Sequence, residues 1–330
     1  MLMRQLRKIM MPRLYEYACG SIPGRGPLFA ARAMVRWRDS YGGKKFYVAE
    51  LDIRKFYGNV DTEILKAQLS KFIRDKRFLR LLFRVIDAAA PGLPLGFYTS
   101  PWLGNFHLTP VDRYIKQELR PDHYLRYADN FFLFSKNKKE LHRMISAISD
   151  FLARELHTEL KGDWQVFRFE HPVKNTVKPE EKKYLGRAIN SLGYVIHCDR
   201  VTMRKSTLKR ARAKGNRMHR LKRCRRIDAA AMVSYMGWFK HTDTYNYYKK
   251  HIKPMVSIKQ CKKRISKMAK KGAKKHDRLE KGTGQQRNRA GGTGHGEQQH
   301  HGIRAEEYPP GAGARHTGHH RREKRHPVGV

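Results

Sequence analysis

The chain has 330 residues, enough for a sizeable core, and carries 71 Lys and Arg against 29 Asp and Glu, a formal net charge of +42. That surplus makes a compact fold repel itself and implies a polyanionic partner. Nucleic acid fits better than a membrane surface, because the basic residues are not confined to one amphipathic helix. No apolar run is long enough to span a bilayer, and the start MLMRQLRKIMM lacks the apolar core and cleavage site of a signal peptide. The four cysteines, Cys19, Cys198, Cys224 and Cys261, form no Cys-x-x-Cys pair, so the expectation is a cytoplasmic protein with reduced thiols.

Residues 1–45 are basic and broken by CGSIPGRGPLFA (Cys19 to Ala30), where Gly20, Pro23, Gly24, Gly26 and Pro27 speak against a regular element. A glycine-rich loop with Arg25 suits phosphate cradling by backbone N–H groups; taken by itself the stretch reads rather as a plain connection. FYVAELDI (Phe46 to Ile53) is β-branched and aromatic, a buried strand ending in Asp52. Asp61 is the expected cap of a helix with Leu65, Leu69, Phe72 and Ile73 on one face, and a second helix is expected from about Lys76 to Ala89. PGLPLGFY (Pro91 to Tyr98) is a loop. Ser100 followed by Pro101 reads as N-cap and first turn, and Pro110 requires a kink or a restart with Thr109 as cap.

HYLRYADNFFLFSK (His123 to Lys136) sets apolar and aromatic residues on both sides of a short polar dipeptide, the pattern of a tight hairpin with an acid at its tip. Asp and Asn chosen only for turn geometry would look the same. Asn137 followed by Glu140 caps a helix with Leu141, Met144, Ile145, Ile148, Phe151, Leu152 and Leu156 at helical spacing. Trp164 to Glu170 alternates as a strand, and Leu192 to Thr202 reads as a strand or hairpin. Strands and helices around a central hairpin indicate an α+β fold, an antiparallel sheet with helices on one face. Arg204 to Arg226 holds twelve Lys or Arg and no acid, a helix suited to a phosphate backbone. Ile227 to Tyr248, with Met232, Tyr235, Met236, Trp238 and Phe239, supplies a small helical core. From about Lys267 the apolar residues nearly vanish, so 267–330 is expected to be a disordered basic Gly/His-rich tail, the spacing of His316, His319 and His320 following from composition.

Four stretches in this order resemble the polymerase motifs of reverse transcriptases, particularly the bacterial enzymes of group II introns and diversity-generating retroelements. They are LDIRKFYGNVD (Leu51 to Asp61), GLPLGFYTSPWLGNFHL (Gly92 to Leu108), YADN (Tyr127 to Asn130) and LGY (Leu192 to Tyr194), with IPGRG (Ile22 to Gly26) similar to a fingers motif upstream. The resemblance covers roughly residues 20–260. It implies a right-hand polymerase: partial fingers at 1–45, palm at 46–200, basic helical thumb at 201–266. It implies RNA-templated DNA synthesis in a retroelement or anti-phage system, with an RNA template, a DNA or RNA primer, deoxynucleoside triphosphates and, as a further partner, a structured non-coding RNA.

Such chemistry needs converging carboxylates to hold Mg2+, or Mn2+ in its place. The resemblance assigns the catalytic positions to Asp52, Asp129 and Asn130, and the metal to Asp52, Asp129 and the carbonyl of Ile53. It places Tyr57 as a steric gate under the sugar, Arg54 and Lys55 near the triphosphate, and Leu95 and Gly96 at the nascent base pair, with Gly92 allowing close approach. Arg25, Gly193, Tyr194, Lys209, Arg210, Arg212 and Lys214 would hold nucleic acid. The sequence departs from the family in three ways. Asn130 stands where a second aspartate is usual. Leu95 replaces a common Gln, and Pro101 follows Ser100. Less fingers sequence precedes the first motif than in relatives. A reverse transcriptase-derived protein that binds RNA without chemistry is the alternative reading.

Overall fold

The structure, a computed structural model, describes residues 2–88, 91–173 and 183–267. These lie in one of the two units into which the chain divides, Met1–Lys271. The tail from residue 268, with its three histidines, is outside the described residues.

The central sheet contains β1 (Ala18–Cys19), β2 (Tyr47–Asp52), β3 (His123–Tyr127), β4 (Asn130–Ser135) and β5 (Gln165–Arg168), ordered β1-β3-β4-β2-β5. All neighbours are antiparallel except β1, which adds a short parallel pair at the β3 edge and makes the sheet mixed. The apolar runs of β2 and β4 do not alternate with polar residues, which signals burial on both faces. Ala49, Leu51, Tyr124, Phe131 and Leu133 face one core. It is shared with α1 (Leu2–Met10), α4 (Thr62–Ser70), α5 (Lys76–Asp87), α6 (Ser100–His107), α7 (Thr109–Tyr114) and α8 (Lys138–Leu156). The short α3 (Phe56–Asn59) packs there through Phe56. Val48, Leu125, Phe132 and Phe134 face a second core formed with α2 (Pro27–Ser40). The helices expected on one face are there, and one further helix covers part of the other.

Local chemistry explains the boundaries. The carboxylate of Asp61 accepts from the N–H groups of Glu63 and Ile64, and Asn137 does the same for Lys139 and Glu140. Two expectations are corrected. Pro27 does not exclude helix; it opens α2, where its missing N–H costs nothing. Ser100 is not a cap: it is the first residue of α6, and its hydroxyl donates to the Pro94 carbonyl at 2.5 Å. Thr109 likewise lies inside α7, the restart that Pro110 imposes.

After β5, β6 (His171–Val173) pairs with β7 (Lys183–Leu185), and β8 (Ile189–Ser191), β9 (Tyr194–Ile196) and β10 (Val201–Met203) form a three-stranded sheet. Leu192 to Thr202 is therefore a hairpin in its β9–β10 part. Then α9 (Lys205–Arg220), α10 (Arg226–Lys240) and α11 (Tyr245–His251) enclose a third core with Met218, Met232, Met236, Phe239, Ile252 and Cys261. Trp238 of α10 packs on the turn before β9. There Gly193 has φ +85° and no room for a Cβ beside the indole ring, and the Tyr194 ring packs against it, tilted by 41°, at 4.6 Å. No helix among the described residues is long and apolar enough to cross a membrane.

Candidate active site

The hairpin turn consists of Ala128 and Asp129, not of Asp129 and Asn130. Asn130 is the first residue of β4, paired with Tyr127 on one side and with Asp52 on the other. Ala128 takes a left-handed backbone, φ +53°, which costs a residue with a Cβ about 1 kcal/mol and needs support. The support comes from both flanks. Its N–H donates to the Cys19 carbonyl at 2.9 Å, and its carbonyl accepts from the Arg126 guanidinium at 2.9 Å.

Arg126 is wholly buried in β3 and forms a two-pronged ion pair with Asp112 of α7 at 2.6 and 2.8 Å. Its remaining prong reaches the side-chain oxygen of Asn105 at 2.9 Å, and Asn105 in turn donates to the Gly20 carbonyl at 3.0 Å. The Tyr124 hydroxyl donates to Asp112 at 2.7 Å. Burial alone would drive the guanidinium toward neutrality; the carboxylate of Asp112 outweighs it and keeps Arg126 charged. The turn is thus tied to α6, α7 and the glycine loop. Reading the sequence for motifs missed Arg126, Asn105 and Asp112. The available signal was a charge in an apolar strand, at a position sharing the buried face of Tyr124.

Asp52 ends β2 directly beside Asn130, and the next N–H, of Ile53, donates to the Asp129 carbonyl at 3.3 Å. The two acids therefore share one end of the β2–β4 pair. Burial, and then the like charge of Asp52, push the Asp129 carboxyl above its ordinary value. Asn130 donates its amide to Asp129 Oδ1 at 3.2 Å. Lys161, which motif reading also missed, places its ammonium 3.0 Å from Asp52 Oδ2. A cleft of about 150 Å³ opens here, lined by Glu50, Leu51, Asp52, Asn130, Asp163, Trp164 and Gln165.

Tyr57 lies in α3, half-buried. Burial and the charge of Asp129 raise its phenol above the usual value. Its carbonyl accepts from the Leu93 N–H at 2.7 Å, and a Cβ on Gly92 would stand 2.5 Å from that same oxygen. Gly92 has φ +87°, so it is needed both for its backbone and for its missing side chain. Leu95 is 80% exposed and Gly96, also left-handed, has nothing near it, so the loop tip projects into solvent. Arg54 is exposed and pairs with Glu159 at 3.5 Å, and Lys55 is left-handed at φ +45°. The Ile53 side chain is core.

The residues expected to hold nucleic acid divide into two sets. Lys209, Arg210 and Arg212 are exposed on α9. Arg25 donates to the Tyr15 carbonyl at 2.7 Å, Lys214 pairs with the buried Asp228 at 3.0 Å, and Tyr194 is buried under Trp238. For these three the side chain is engaged by the protein itself, and Gly193 serves the packing of Trp238.

The donor set suits a hard divalent ion. Burial and the like charge of Asp52 both favour the protonated form of Asp129, so a cation is welcome there, and an ammonium already sits on Asp52. Among the described residues no three His, Cys, Asp or Glu side chains gather at one point. An ion here would rest on Asp52 and Asp129, with other oxygens completing its shell, as Mg2+ does when it keeps waters and substrate phosphates.

Asp52 and the Ala128–Asp129 turn thus stand together at one end of an antiparallel hairpin sheet packed with helices. The chain belongs to the reverse transcriptase (RNA-dependent DNA polymerase) family, whose sequence profile matches residues 1–188. It is similar to the COX1/OXI3 intron 1 protein of Saccharomyces cerevisiae, 27% identical over 142 residues that cover 37% of this chain and 16% of that protein. Telomerase from Candida tropicalis, solved in complex with a TWJ fragment of telomeric RNA, has the same fold at TM-score 0.51 and 10% identity, over 76% of this chain and 47% of that one. The Candida albicans telomerase aligns at TM-score 0.45 and 11% identity, over 77% and 46%. The chain spans less than half the length of each of these relatives.

Proposed function

We propose that the protein synthesises DNA on an RNA template, as a retroelement or anti-phage reverse transcriptase of the group II intron or diversity-generating kind. The observation that carries this is the meeting of Asp52 with the Ala128–Asp129 turn at one end of the sheet. Asp52, Asp129 and the Ile53 carbonyl would hold Mg2+, which supplies charge neutralisation and activation of the primer hydroxyl. The chain's own residues do the rest. Tyr57, backed by Gly92, closes the space under the sugar against a 2′ hydroxyl. Arg54 and Lys55, exposed shortly after Asp52 in the chain, meet the triphosphate. Lys209, Arg210 and Arg212 line α9 for a duplex backbone. Residues 1–45 act as fingers, 46–200 as palm and 201–266 as thumb. The protein would work in the cytoplasm with template, primer and deoxynucleotides.

Asn130 favours a second reading, an RNA-binding protein without chemistry, because an amide that donates to Asp129 replaces a negative charge beside the ions. Primer extension on a defined RNA template, across Mg2+ and Mn2+ titrations, separates the two. The natural chain should extend primers with deoxynucleotides, and Asn130→Asp should need less Mg2+. Asp52→Asn and Asp129→Asn should each lose on the order of a thousandfold. A natural chain silent in both metals beside an active Asn130→Asp would hand the function to the binding reading.

A further inference from the structure

On the side of β2 away from β4, the pairing beside Asp52 is irregular. Glu50 pairs with Gln165 and Ile53 with Leu160, so Leu51 and Asp52 face the four residues 161–164. Two extra residues bulge out at this point, in the run Lys161-Gly162-Asp163-Trp164. Bulges of this sort re-aim side chains beside functional sites. The main chain pins both ends of Asp52's neighbourhood: Lys161 N–H donates to the Asp52 carbonyl at 2.8 Å, and Arg54 N–H to that of Glu159 at 2.9 Å. Lys161 therefore hangs over Asp52 by register, not by chance rotamer choice. Its ammonium is 3.0 Å from Asp52 Oδ2 and 3.9 Å from Asp163 Oδ2.

We propose that Lys161 is a built-in competitor for the cation at Asp52, and that Asp163 is its second seat. This rests on the reading of Asp52 as an ion ligand. The ammonium satisfies Asp52 while no divalent ion is held. An entering ion displaces it, and Asp163, on the same bulge, receives it without the lysine leaving the cleft. The exchange returns one full negative charge to a site that Asn130 has already deprived of one. Lys161 and Asp163 are positioning residues; both side chains are exposed enough, 47% and 73%, to move without disturbing the core.

Direct ion binding by the full chain tests this without primer or nucleotide, by the electron paramagnetic signal of free Mn2+ and by Tb3+ luminescence sensitised by Trp164 in the same cleft. Removing a unit positive charge next to the ion should tighten binding about tenfold in Lys161→Met, whereas Lys161→Arg should stay near the natural chain. Asp163→Asn should weaken binding several-fold, because the displaced ammonium has lost its seat. The double variant should match Lys161→Met, since with no ammonium to receive Asp163 has nothing to do. Unchanged affinity in Lys161→Met, or an Asp163→Asn effect that persists in the double variant, overturns the proposal. Asp52→Asn is the separate control: if it binds ions as well as the natural chain does, the site assignment itself fails.

Discussion

Arg126→Met probes what holds the turn that carries Asp129. Arg126 donates five hydrogen bonds, at 2.6 to 3.2 Å, to Asp112, Asn105 and the Ala128 carbonyl, all from full burial. Methionine fills much of the same volume but leaves the Asp112 carboxylate in the core with the Tyr124 hydroxyl as its remaining side-chain partner among the described residues. Breaking a buried pair from one side costs about 3–5 kcal/mol, most of it the uncompensated charge. With a urea m-value of about 3 kcal/mol/M, the unfolding midpoint should fall by about 1–1.7 M. Arg126→Met with Asp112→Leu removes both charges and should be more stable than Arg126→Met alone. A single-variant loss below about 1 kcal/mol, or a double variant with simply additive costs, would refute the claim that this pair is the anchor.

Gly92→Ala would press a Cβ to 2.5 Å from the Tyr57 carbonyl at a left-handed φ. It should cost about 1–3 kcal/mol and, by shifting Tyr57, relax discrimination against ribonucleotides in single-nucleotide extension; unchanged discrimination would detach Tyr57 from that role. Burial holds His107 down to about 4 from 6.5, and neither ring nitrogen has a partner among the described residues. As pH falls the unfolded chain takes up the proton first, so stability is lost between about pH 6.5 and 4, by up to about 3 kcal/mol. His107→Phe should flatten that loss in urea melts at several pH values, and an identical slope would place the sensitivity elsewhere. Replacing Lys209, Arg210 and Arg212 by Ala should flatten the log affinity against log salt slope by about 2. Lys214→Ala should instead act on stability, because Arg225 and, after it, Lys214 hold Asp228 down to about 2.

Period and punctuation in the sequence determined the elements of this protein. The doubly apolar runs of β2 and β4, the helical spacing of α8 and the caps at Asp61 and Asn137 follow from interactions within a few residues, and those are written locally. The order of LDIRKFYGNVD, YADN and LGY carried the resemblance to reverse transcriptases, and with it Asp52 and Asp129. What the tertiary structure decided is everything that depends on partners far along the chain. Arg25, Lys214 and Tyr194 contact Tyr15, Asp228 and Trp238, partners far along the chain that the sequence does not show. Arg126 finds Asp112 and Asn105 only once α6 and α7 pack on β3, and Lys161 meets Asp52 across 109 residues of chain through a bulge in strand register. Charge and propensity say what a side chain can do. Which of its options it takes is set by desolvation and by the neighbour the fold supplies.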